Sequence, residues 1–200
     1  MATENSLNHA IQKALKKIRG ILAKSKVPED PIHAEDTLKI LLKLCPQADI
    51  SLQIAALGHD IERAFPRGIK VERQNFSSYD AFKKAHSQNS ARLLRAVLLK
   101  CNLPNYILKR VYELVLAHEF GGTPDSDLLK DADSLSFFHV NLPLYAKREP
   151  KEEVLRRVKW GIERLSPRAR SILEEMAQTD QFLRQFIPKS CTAKGGKIVF

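Results

Sequence analysis

Two hundred residues suffice for one domain whose core needs no disulfide or zinc staple, so a single domain with a loose end is expected. The formal charge of +10 and pI near 9.6 predict a surface that attracts anions: nucleic acid, nucleotide or a phosphorylated metabolite. Cys45, Cys101 and Cys191 are widely spaced and form no close pair, and no apolar run approaches the roughly 20 residues that span a bilayer; a cytoplasmic protein with reduced thiols and no membrane association is expected.

The first element is an amphipathic helix, with Leu7, Ile11, Leu15, Ile18 and Leu22 opposite Lys13, Lys16, Lys17 and Arg19. A presequence or membrane-surface helix has the same pattern, but a first core helix is the preferred reading, and Glu4 fits a presequence poorly. After Pro28 to Pro31 a second helix carries His33 in its first turn and Leu38, Leu41, Leu42 and Cys45 on one side, and ends at Pro46. Asp49 caps a third helix through Ile50, Leu52, Ile54, Ala55, Ala56 and Leu57, apolar enough to be buried, with His59-Asp60 at its end.

Residues 63–76 carry Pro66, Gly68 and several charges and read as a loop able to overhang a site. Ser77 or Ser78 starts a fourth helix to about Lys100, in which His86 stands among Lys83, Lys84 and Ser87. Pro104 opens a fifth, through Ile107, Val111, Leu114 and Val115, that delivers His118 near its end. Beyond Gly121-Gly122 and Pro124, Ser126 to Phe138 reads as a helix bearing Asp131 and Asp133. Glu152 to Leu165 and Pro167 to Phe186 give two more amphipathic helices, the second capped by Ser166; Trp160 reads as core and Lys151 to Lys159 as a solvated face. No strand pair is expected, and 189–200 reads as a mobile tail.

Four of the six histidines, His33, His59, His86 and His118, recur between helical segments together with Asp60 and Asp133, whereas His9 and His139 look unexceptional. Imidazole nitrogens mixed with carboxylate oxygens suit Mn, Fe, Co, Ni or Zn, and such a shell with open positions suits hydrolysis.

The order His33, then Ala55-Ala56-Leu57-Gly58-His59-Asp60-Ile61, then Ala132-Asp133-Ser134-Leu135 resembles the HD superfamily of metal-dependent phosphohydrolases. The stretch from His59 to Pro66, followed by Tyr79 and Lys84, resembles an uncharacterised subgroup of it. The resemblance covers about residues 29 to 140 and implies an all-α, HD-type helical bundle. On that reading 1–28 is a helix packing on the bundle, 29–140 the metal-binding core, 141–188 the helices that complete it and 189–200 the tail.

The resemblance further implies that His33, His59, Asp60 and Asp133 ligate a first divalent ion, with Asp133 preferred to Asp131 because it follows Ala132 and precedes Leu135 by two. His86 and His118 match extra histidines that hold a second metal or bind substrate phosphate, and either is alternatively a candidate to protonate the leaving oxygen. One or two ions (Mn, Fe, Co, Ni, Zn or Mg) are expected, acting on a small, possibly nucleotide-like phosphate ester. Asp60 and Arg63 are the candidate catalytic residues, with Arg63, Lys83 and Lys84 neutralising phosphate charge. Better-studied nucleotidases and alarmone hydrolases of the superfamily place an acid three residues after the doublet's Asp, where this chain has Arg63 and sets Glu62 one position earlier. That departure leaves a second reading, a catalytically weak or inactive metal-containing module that binds a ligand or nucleic acid. Nucleic acid is the less favoured partner, because the aromatic residues are not interleaved with Lys and Arg.

Overall fold

The computed structural model describes residues 4–187, which form a single all-α domain. Its first helix, α1 (Glu4–Leu22), buries Ala10, Ala14, Ile18 and Leu22, one residue every fourth, and is therefore a core helix. Helix α2 (Glu29–Leu44) begins before Pro31, which sits in the first turn where its missing N–H costs nothing. Helix α3 (Ile50–Gly58) starts at Asp49, whose carboxylate accepts from Leu52 N at 2.9 Å.

Helix α4 (Tyr79–Leu99) starts at Ser78, whose Oγ accepts from Ala81 N at 3.1 Å, and α5 (Asn105–Ala117) follows Pro104. Helix α6 (Pro124–Ser136) opens on a reciprocal Thr123–Ser126 cap. A π-helical turn (Phe137–Asn141) leads into α7 (Leu142–Arg148), and α8 (Lys151–Glu163) and α9 (Pro167–Thr179) complete the order. Among the described residues there is no strand, only an isolated bridge between Arg67 and Lys70. None of the described helices is long and apolar enough to cross a membrane.

Helix α3 is central: Leu52, Ile54, Ala55, Ala56 and Leu57 are all buried, and it packs on α2, α5 and α6. At its last residue, Gly58, a Cβ would lie 2.8 Å from a terminal methyl of Leu94 on α4, itself fully buried. Gly58→Ala is thus expected to destabilise the fold by about 1–3 kcal/mol through overpacking, read as a lower denaturation midpoint with unchanged m-value.

Three expectations need correction. The sixth helix ends at Ser136, close to the expected Phe138, but the chain does not leave helical geometry there: it continues through the π turn into α7, with Phe138 in the core and Phe137 against Arg157. Helix α9 stops at Thr179 and does not reach Phe186, because Asp180 is extended and its carboxylate accepts from Phe182 N at 2.8 Å and Leu183 N at 3.2 Å, opening a separate short turn. Trp160 is only half-buried, its ring edge-on to Tyr79 rather than in the core that Val154, Val158 and Ile162 enter. The expected tail 189–200 lies outside the described residues.

Candidate metal centre

The central helix delivers the doublet. His59 follows Gly58 at the C-terminal end of α3, and His118 occupies the same place after α5. Both helices thus direct their negative dipole ends toward one region, an arrangement that favours a cation. His33 comes from α2, His86 from α4 and Asp133 from α6.

These side chains meet. His33 Nε2 lies 3.3 Å from His59 Nε2, and Asp133 Oδ1 lies 3.2 Å and 3.4 Å from those two atoms. Asp60 Oδ1 is 3.8 Å from His59 Nε2, 2.7 Å from His86 Nε2 and 3.9 Å from His118 Nε2. Two ligand groups result, His33–His59–Asp60 and Asp60–His86–His118–Glu119, within each of which one donor atom per residue lies within 4.8 Å of all the others. Asp60 belongs to both.

The outer contacts set the tautomers. Ser136 Oγ donates to the His33 carbonyl at 3.2 Å and can therefore only accept from His33 Nδ1–H, at 2.9 Å. His59 Nδ1–H donates to Ala56 O at 2.9 Å and His118 Nδ1–H to Val115 O at 2.6 Å. A neutral ring at each of these positions would carry its lone pair on Nε2, facing the shared region, as in metal-ligating histidines. His118 Nε2 is buried and makes no hydrogen bond. A buried ring nitrogen without a hydrogen-bond partner, 3.3 Å from Glu119 Oε1 and 3.9 Å from Asp60 Oδ1, fits a divalent cation.

The charges are mutually held. Burial opposes ionisation of Asp60, but His59, His86 and Arg63 outweigh it and keep the carboxyl well below the usual range. The same opposition is overcome at Asp133 by Arg164, His33 and His59, and at Glu119 by Lys83, Arg164 and His118. His59 shows the converse: burial disfavours its imidazolium, yet Asp60 and Asp133 raise its pKa.

The structure brings most of the residues singled out from sequence together and leaves one of them, Lys84, outside. Asp133, not Asp131, faces the histidines; Asp131 instead accepts from Ser166 N at 2.9 Å and Ser166 Oγ at 2.5 Å, holding the start of α9. Arg63 donates from Nε to Asp30 Oδ1 at 2.8 Å and stands 3.7 Å from Asp60 Oδ2. Lys84 does not reach the site: it is exposed on another face of α4, beside Leu116 and Phe120. Adjacent helical residues point in different directions, and it is Lys83 that turns inward, its ammonium on Glu119 Oε1. His9 is exposed, and His139 pairs with Asp36 Oδ2 at 3.0 Å, away from the site.

Three buried groups were not assigned from sequence. Glu119 is one; its signal was present, since His118-Glu119 repeats the His-acid order of His59-Asp60. Glu62 accepts from His86 Nδ1 at 2.6 Å and from Val71 N at 3.3 Å, fixing the ring and the loop above it. Arg164, just beyond α8, reaches Asp133 Oδ2 at 3.1 Å and Glu119 Oε2 at 3.2 Å. Nothing in its sequence surroundings marks it.

His86 opens onto a cleft of about 440 Å³, roofed by the 63–76 loop, as that loop's composition led us to expect. Its lining carries seven basic side chains, Arg157 among them, against four glutamates (Glu29, Glu62, Glu72 and Glu153), interspersed with Tyr79, Phe82, Phe137 and Tyr145.

A family model described as a domain of unknown function (DUF4202) matches residues 8–186, and the chain belongs to that family. Comparison with curated proteins and with solved structures finds no match.

Proposed function

We propose that this chain is an HD-type, metal-dependent phosphohydrolase that cleaves a phosphate ester of a small, nucleotide-like or otherwise phosphorylated molecule. The observation that carries this reading is the convergence of the His33, His59 and His118 Nε2 atoms on Asp60, a carboxylate common to two candidate ligand groups beside a basic cleft. A divalent ion bound there supplies a water acidified toward neutrality and a Lewis acid for a phosphoryl oxygen. The mixed nitrogen and oxygen set suits Mn, Fe, Co, Ni or Zn better than Mg.

The chain's own residues do the rest. His33, His59, Asp60 and Asp133 form one half of the site, and Asp60, His86, His118 and Glu119 the other. Glu62 holds the His86 ring, and Asp30 holds Arg63 with its guanidinium beside Asp60, where it can receive a phosphoryl oxygen. His86 has both nitrogens engaged and His118 is fully buried, so neither is placed to protonate a leaving group from the cleft. The cleft volume fits a small molecule, and the surrounding cations fit an anionic one.

His86 yields a pH prediction. Burial lowers its pKa, but Asp60 and Glu62, each accepting from one ring nitrogen, outweigh burial and Lys83 and raise it to about 9. Below that pH the ring is an imidazolium, so a cation taking Nε2 must displace a proton. Affinity for Mn²⁺ is therefore expected to rise with pH, by up to about tenfold per unit, and to level off above about 9. Calorimetry at pH 7 in buffers of different ionisation enthalpy should show proton release that His86→Ala reduces by about one.

A metal-holding module without turnover is the second reading, favoured by Arg63 standing three residues after Asp60 and by Lys83 already neutralising Glu119. Screening phosphate mono- and diesters with the Mn-, Co- or Ni-loaded chain separates the two. Turnover that falls to background in folded His59→Ala supports the hydrolase; a metal-loaded chain with no turnover on any ester leaves the module.

A further inference from the structure

The cleft has a second anchoring point, remote in sequence from the ligand set. Arg157 of α8 lies with its Cζ 4.4 Å from the Trp160 ring centroid, 4.5 Å from that of Phe137 and 5.5 Å from that of Tyr79. Three aromatic rings thus hold one guanidinium at the cleft wall. Among the described residues no carboxylate lies within 4.0 Å of it, unlike Arg63, Arg148 and Lys83, which pair with Asp30, Glu29 and Glu119. Its Nη1 is buried and has no hydrogen-bond partner. Stacking occupies the faces of a guanidinium and does not serve in-plane donors such as Nη1–H, and buried donors of that kind are rare without a partner.

We propose that Arg157 is the receptor for a second anionic group on the substrate, so that the substrate class is a bisphosphorylated small molecule with one phosphoryl group at the Asp60 site and another at Arg157. This rests on the hydrolase reading for the position of the first group. The cleft joins the two ends: Arg63 and His86, both beside Asp60, share its lining with Arg157. A planar fork in a fixed orientation recognises two oxygens of a phosphoryl group together, which a lysine in its place does not. Arg157 is thus a specificity-determining residue that sits apart from the reacting atoms.

The test uses phosphonates, which are not hydrolysed. Alkane bisphosphonates of two to five carbons and the matching monophosphonates are titrated calorimetrically against the Mn-treated full chain, Arg157→Ala and Arg157→Lys. At least one bisphosphonate is expected to bind the parent at least tenfold more tightly than its monophosphonate. Arg157→Ala should cancel that advantage while leaving monophosphonate affinity within twofold, and Arg157→Lys should restore only part of it. Equal affinities in the parent, or an advantage that survives Arg157→Ala, overturn the proposal; so does a parallel loss for both ligand types, which marks a structural role. Failure of the hydrolase reading shows separately, as absent ester turnover in a parent that still discriminates between the ligands.

Discussion

Asp60→Asn is expected to remove metal from both halves of the site at once and to lower ester turnover by more than about 100-fold, beyond the loss typical for a residue that only orients a ligand. The amide keeps the shape of the carboxylate but loses its charge and one acceptor, and Asp60 is the one residue common to the two groups. The comparison with single-group variants carries the force of the prediction. His33→Ala should weaken one equivalent of bound metal and His118→Ala the other, each leaving its counterpart measurable. Asp60→Asn with only one equivalent weakened would show that the carboxylate is not shared.

Arg164→Met is expected to destabilise the metal-free chain by about 3–5 kcal/mol, the loss that follows removal of one partner from a buried charge network. Arg164 bridges Asp133 and Glu119 and also donates to the His118 and Glu119 carbonyls at 3.2 Å and 3.3 Å, while stacking on Trp160 at 4.5 Å. Its side chain is 9% exposed, and the two carboxylates it serves are 10% and 1% exposed. In a chain of this size such a loss lowers the melting midpoint by roughly 10 °C. Saturating Mn²⁺ should narrow the gap, because a bound cation takes over neutralisation of the same carboxylates. A change below about 1 kcal/mol would mean that the guanidinium contributes only packing.

Much of the fold was readable because its signals are local. Asp49, Ser78 and Ser166 each cap the helix they precede, and the apolar stripe of α1 buries as its period requires. The candidate cluster was also readable, since His-Asp and Ala-Asp-Ser-Leu sit in distinctive helical contexts, and the helices bring these side chains together. What escaped depends on tertiary placement. The inward turn of Lys83 rather than Lys84 follows from the rotation of α4, which periodicity fixes only to within a residue or so. The π turn after α6 adds a residue that no 3.6-residue pattern anticipates. Arg164 and Arg157 act on the site across more than 100 positions from His33, through a helix that reads as an ordinary amphipathic segment. Trp160 looked like core by its spacing, yet it is half-buried with Lys83, Arg157 and Arg164 gathered around its ring.

The central claim is that the Asp60-centred groups bind a divalent transition metal, and elemental analysis of gently purified and Mn-reconstituted protein tests it most directly. At least one bound equivalent per chain is expected, lost in His59→Ala and Asp60→Ala variants whose circular dichroism matches the parent. A parent that holds no metal after reconstitution, while retaining its helical spectrum, would contradict it.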